Sequence, residues 1–180
     1  MADREDLLAW REKVLESLAE DSCEDGEETL FLDGLEVESL MEVLAFRLGQ
    51  ETFAFDIRTV SEILRPRPIT LLPRAPDFVL GVLGLRGMIL PVTDTAKRLG
   101  IGNFGRPQGH RVIVVNDGTE LMGFAVDAVL GVLRFSTADI ESSNYAESID
   151  PSFLIGIGYD TKGQLVALLN SEKLCDFRLE

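Results

Sequence analysis

Few side chains in this chain are suited to covalent chemistry, and they do not gather. His110 is the only histidine and stands at the start of an apolar run beside Arg111. A serine or cysteine nucleophile would need that imidazole as its base, and no Gly-x-Ser-x-Gly elbow is present. Cys23 lies among acids, which disfavour the reactive thiolate, and Cys175 reads as a packing residue near the C-terminus. Two cysteines make neither a disulfide framework nor a metal cluster. Gly100-Ile101-Gly102-Asn103-Phe104-Gly105 satisfies G-x-G-x-x-G, but a dinucleotide site needs that motif after a strand and opening a helix. Here it follows a helical pattern and precedes a strand. No carboxylate pair stands at a spacing suited to acid–base work. The expectation is a chain that is not an enzyme, with no cofactor and no metal.

The elements that would position any site are short and mostly extended. Val43 to Leu48 alternates, with Leu44, Phe46 and Leu48 on one face; Gly49-Gln50 turns the chain, and Thr52 to Ile57 returns. Arg58 to Leu64 reads as one or two helical turns, stopped by Pro66 and Pro68. Apolar pieces follow at 69–72, 78–85 and 88–93, and Asp94 caps a short helix to Leu99. After a Gly-rich loop, 111–115 and 119–126 form strands around the Asn116-Asp117-Gly118 turn. Strand 129–135, the capped turn Ser136 to Asp139, a hairpin over 156–169 and a helix over 172–177 capped by Ser171 complete the chain. Many short strands at this spacing predict an all-β barrel or sandwich core. A faint echo links Phe55-Asp56-Ile57-x-x-Val60 with Val126-Asp127-x-Val129, as two related barrels would produce.

Charge divides the 180 residues unevenly. The net charge is -14, yet residues 1–42 hold 15 acids and 3 bases, for -12, while 43–180 hold 16 and 14, for -2. An acidic N-terminal extension (1–42) is therefore expected before a nearly neutral domain (43–178). Within it, 3–20 reads as an amphipathic helix with Leu7, Leu8, Val14, Leu15 and Leu18 on one face, and 20–28 as a solvated linker. This balance argues against nucleic acid, whose phosphates need clustered bases, and against an anionic membrane surface. No apolar run approaches the roughly 18–20 residues of a membrane span, and the acidic first residues do not read as a signal peptide. The chain reads as cytoplasmic.

Several patterns recur in order: Phe53-Ala54-Phe55-Asp56-Ile57, Val60-Ser61-Glu62-Ile63, Phe78 to Val82, Leu85-Arg86-Gly87, Leu90 to Asp94, Gly123 to Val129, and Leu168 to Leu174. The series, over about 43–178, resembles the CheW family, the coupling proteins of bacterial chemosensory arrays. The resemblance implies two five-stranded SH3-like β-barrel subdomains with short helices, following the N-terminal helix. It implies no catalysis. It implies an adaptor between the cytoplasmic tips of methyl-accepting chemoreceptors and the regulatory domain of a CheA-type histidine kinase, in the cytoplasm at membrane-linked receptor arrays. A variant of this reading is an adaptor of an auxiliary chemosensory system, whose N-terminal helix recruits a different localisation or motility partner.

By the same resemblance, Glu62, Arg86, Val129 and Val132 match receptor-binding positions, and Leu44, Ile57, Val60 and Ile63 match kinase-binding positions. Val60 and Gly81 also match positions that affect coupling. The residues themselves leave alternatives. Arg86 stands between apolar stretches, so it must emerge or pair, with Glu62 as candidate partner. Val129 and Val132 are three apart, so a plain strand sends them to opposite faces; one is core, or a bulge re-aims the chain. Leu44, Ile57, Val60 and Ile63 are also core candidates. Two departures from the family pattern stand out: Gly84 in place of Asn before Leu-Arg-Gly, and Thr95 in place of Leu after Asp94.

Overall fold

The computed structural model describes residues 40–103, 105, 110–116, 118, 120–141 and 149–176. The expected helix over 3–20 and linker over 20–28 lie outside them. The strands are β1 (Leu40–Leu48), β2 (Glu51–Asp56), β3 (Val60–Leu64), β4 (Val79–Leu85), β5 (Met88–Asp94), β6 (Arg111–Asn116), β7 (Leu121–Val126), β8 (Ala128–Ser136), β9 (Leu154–Tyr159) and β10 (Leu165–Leu169). Short helices α1 (Thr95–Arg98) and α2 (Ser171–Cys175) follow β5 and β10.

Two five-stranded sheets result, ordered β8-β1-β2-β10-β9 and β3-β6-β7-β5-β4. The orders are equivalent when the chain is divided before β6. Each half begins with an antiparallel hairpin, β1–β2 or β6–β7. Its next strand then leaves for the other half's hairpin: β3 pairs with β6, and β8 pairs with β1. Each half's last strand runs parallel to a hairpin strand of the other half, β5 beside β7 and β10 beside β2. The echo around Asp56 and Asp127 has this meaning: both aspartates stand where a hairpin hands its chain across to the other sheet.

Burial on both faces explains why the central strands read as nearly unbroken apolar runs. On β1, Val43 and Ala45 enter a small core with Ala54, Phe135, Val166 and Leu168 inside the first sheet. Leu44, Phe46 and Leu48 point the other way, into a larger core shared by both sheets with Ile113, Val115 and Phe124. On β6, Val112 and Val114 enter the second sheet's own core with Leu83 and Leu90. Phe46, Phe55 and Phe124 stack through the shared core at centroid spacings of 5.0 and 5.2 Å.

Three local expectations are corrected. Residues 58–64 are not helical: a 3-10 turn spans Ile57–Thr59, and Val60 to Leu64 is strand β3. The Asp56 carboxylate accepts the Arg58 N–H at 2.9 Å and caps the start of the turn, which closes with the Val60 N–H donating to the Ile57 carbonyl. The following segment, with Val60 and Ile63 in it, is then taken up by the open edge of β6, a tertiary pairing that outweighs local periodicity. The β6–β7 hairpin forms with Asn116 opposite Leu121, but β7 spans Leu121–Val126 rather than starting at 119. Helix α2 is capped by Asn170, whose side chain accepts the Lys173 N–H at 3.2 Å, rather than by Ser171. The Asp94 cap of α1 forms as expected, accepting from Lys97 N at 3.0 Å.

Candidate functional site

Arg86 and Glu62 meet because the second sheet curls. Their strands β4 and β3 are the two outer members of that sheet, yet Arg86 Nη2 lies 3.2 Å from Glu62 Oε2. Such a contact between opposite edges needs a barrel-like closure. Leu85 pairs with Met88, leaving Arg86-Gly87 as a two-residue turn with φ of 50° and 84°. Positive φ at both positions is the hairpin geometry that follows strand twist. The Arg86 side chain is 76% exposed and Glu62 24%. The charge therefore both emerges and pairs, and the pair contributes only about 0.2–1 kcal/mol to stability. A solvated guanidinium next to a half-buried carboxylate is suited to recognition rather than to holding the fold.

Val129 and Val132 are brought to one face by a bulge. On β8, Val129 opposes Phe46 and Gly131 opposes Ala45, leaving Leu130 as the extra residue; Val132 then opposes Leu44. Directly opposed residues share a face, and Phe46 and Leu44 both face the shared core. Hence Val129 and Val132 point to the same side. Val129 packs against the shared core, while Val132 is 54% exposed at its rim.

β3 repeats this device. Val60 opposes Val115, Glu62 opposes Val114 and Ile63 opposes Ile113, with Ser61 as the extra residue. Val60 and Ile63 therefore also share the shared-core face, by a bulge rather than by a helical turn. Val60 packs on the core, whereas Ile63 is 43% exposed. Ile57, on the turn before β3, packs partly on the same core and borders a hollow of about 480 Å³ with Leu40, Glu42, Arg58 and Arg134. Leu44 is buried and lies beneath this surface. The receptor-matching and kinase-matching valines are thus structural equivalents on the two exchanged strands. The repeated Val-x-x-(Ile/Val)-Leu of 60–64 and 129–133 is the sequence signal for that equivalence.

Other singled-out residues find definite places. Gly81 has φ of +136°, and a Cβ there would lie 2.2 Å from the Thr70 carbonyl oxygen, so only glycine lets the 69–70 segment pair with β4. Gly84 opposes Ile89, and a side chain there would meet open space. Ile89, opposite Gly84, is 77% exposed. Thr95 is buried, and its hydroxyl donates to the Ala125 carbonyl at 2.7 Å, which ties α1 to β7. Cys175 is buried in the shared core. Among the described residues no three His, Cys, Asp or Glu side chains cluster as metal ligands.

At the hand-over from β2 to β3, Arg58 bridges Asp56, with Nη2 2.5 Å from Oδ2. The Arg58 guanidinium holds the Asp56 carboxyl below its ordinary value, against a smaller opposing effect of burial. At the equivalent hand-over, the Asp127 carboxylate accepts the Gly49 N–H at 2.6 Å and so fixes the β1–β2 turn.

Comparison with known proteins agrees with this architecture. A family model described as "CheW-like domain" matches residues 42–178. Chemotaxis protein CheW of Rhizobium meliloti (strain 1021) is 34% identical over 134 residues, covering 74% of this chain and 86% of that protein. Protein FrzA of Myxococcus xanthus is 34% identical over 134 residues, covering 74% and 84%. The crystal structure of the scaffolding protein TtCheW from Thermoanaerobacter tengcongensis superposes with a TM-score of 0.70 at 32% identity, covering 77% of this chain and 89% of that one. With the family model spanning the described strands from β1 to α2, the chain belongs to the CheW-like domain family.

Proposed function

We propose that this chain is an adaptor that couples methyl-accepting chemoreceptors to a CheA-type histidine kinase in a chemosensory array. Membership of a family of non-enzymatic scaffolding proteins supports the class of function. The observation that carries the finer reading is the pair of bulged strands. They display two equivalent apolar edges, Val60 with Ile63 and Val129 with Val132, on one two-sheet body. A bridge between two proteins needs two such surfaces. In this reading Arg86, Glu62, Val129 and Val132 meet the receptor tip, and Ile57, Val60 and Ile63, supported by Leu44 beneath, meet the kinase's regulatory domain. No helix among the described residues is long and apolar enough to cross a membrane. In this reading the protein joins the array from the cytoplasm, through its partners.

The test is binding and coupling together. Purified full-length chain binds the regulatory domain of its cognate kinase at micromolar affinity in calorimetry. Arg86→Ala leaves that binding intact and lowers receptor-stimulated kinase activity several-fold. Absence of kinase binding at both low and high salt overturns the proposal.

A further inference from the structure

The segment between β3 and β4 carries a feature that the adaptor surfaces do not use. From Ile63 to Pro76 the chain holds Arg65, Arg67 and Arg74 and no acid, within a protein of net charge -14. All three arginines are exposed, and among the described residues none has an acidic partner. Leu71, between them, is 74% exposed. Four of the chain's seven prolines, Pro66, Pro68, Pro73 and Pro76, lie in this stretch. Thr70 is pinned to Val82 by two hydrogen bonds of 2.8 Å. The charges are therefore presented on stiff backbone, which lowers the entropy lost when a partner orders them.

Backbone geometry supplies a second, independent observation. Among the described residues only two that are not glycine adopt positive φ, and both are arginines: Arg74 at 63° and Arg86 at 50°. A turn with proline followed by positive φ favours glycine or asparagine at that second position. Pro73-Arg74 places a long cation there instead, so the fold does not choose that side chain for comfort. Strain of this kind at an exposed residue points to function rather than to packing.

The geometry points to a docking track for an acidic, partly apolar segment of a partner protein, with Arg65, Arg67 and Arg74 meeting carboxylates and Leu71 meeting an apolar side chain. The Thr70–Val82 bridge is antiparallel, so the segment runs from Arg74, near the start of β4, back towards the Arg86 end of that strand. β4 has seven residues, so the track is about 24 Å long. That length suits an extended peptide of about seven residues or a helix of about sixteen. The inference does not depend on the receptor or kinase assignment.

The test uses the full chain and a fluorescein-labelled peptide of five Glu-Glu-Leu repeats, read by anisotropy, with five Lys-Lys-Leu repeats as the control. Binding of the acidic peptide should be salt-sensitive. It should fall about tenfold or more when Arg65, Arg67 and Arg74 are all changed to Gln, since each exposed charge contributes modestly. Arg74→Gly guards against misfolding: it removes the charge and relieves the backbone, so Tm holds or rises while peptide binding falls. Equal binding by wild type and the triple variant, or equal binding of the two peptides, overturns the proposal. Arginine-dependent binding to phosphatidylserine vesicles without peptide binding replaces it with a membrane contact. Changing Glu20, Asp21, Glu24, Asp25, Glu27 and Glu28 to their amides separates the remaining case. A tenfold gain in peptide affinity there would show the chain's own acids as the occupant and overturn a separate partner. Unchanged affinity supports one.

Discussion

Leu44 and Val132 face each other across β1 and β8, yet they do different work. Leu44 is buried in the shared core, and Leu44→Ala should cost about 2–5 kcal/mol by lost burial and a residual cavity. Val132 is more than half exposed, so Val132→Asp should change stability by under about 1 kcal/mol while abolishing receptor coupling. Urea denaturation beside a reconstituted kinase assay checks both, and a large stability loss at Val132 would return it to the core. Asp56 gives a pH dependence. Its folded pKa lies below the ordinary 3.8 because of Arg58. Its stabilising contribution is therefore fully present above about 3.8 and is lost as pH falls through the lower folded value. Stability curves of wild type and Asp56→Asn should converge on acidification and separate above that pH.

The bulged strands are the elements on which the proposed function depends. A one-residue change of register turns every side chain of a strand to the other face. Deleting Leu130 removes the extra residue of β8 and leaves Val129 and Val132 two apart, opposite Phe46 and Leu44 as before, so both still face the shared core. The expected outcome is a chain that keeps β-rich circular dichroism and receptor coupling. Loss of coupling with the fold intact would mean that the bulge itself, and not only the common facing of the two valines, is required. The same geometry explains the misread helix at 58–64. Spacing of three is shared by a helical turn and by a bulged strand, so periodicity alone does not separate them.

For the whole molecule, the exchange of β3 and β8 makes each sheet depend on both halves of the chain. Arg98 adds a tie between the ends of those halves. From α1 it donates to the carbonyls of Leu174 and Lys173 at 3.4 Å and of Asp176 at 3.2 Å, at the end of α2. Its guanidinium also lies over Phe78 and Phe153, at 4.7 and 4.9 Å from the ring centroids. Burial lowers its pKa from the ordinary value, yet an arginine stays charged. Arg98→Ala should cost about 1–3 kcal/mol, since it removes several carbonyl partners and the stacking. Because the core is shared, amides of both sheets should lose hydrogen-exchange protection at the same denaturant concentration in wild type and variant alike. Separate transitions would refute the shared-core account.

Most of the strand pattern, the Asp94 cap and the Glu62–Arg86 pairing were legible in the amino-acid sequence. Each is set by local chemistry: alternation of apolar residues, a capping side chain, an arginine that must find water or a carboxylate. The facing of Val60, Ile63, Val129 and Val132 was not, nor was the β3 strand itself. An extra residue in a strand has no local signature, because it exists only relative to the partner strand that it fails to oppose. Local chemistry in the sequence therefore sets most of the strands, the caps and the charge distribution, with β3 as the exception. Which sheet each strand joins, and which side chains it turns outward, depend instead on pairing between residues far apart in the chain, and so emerge from the fold.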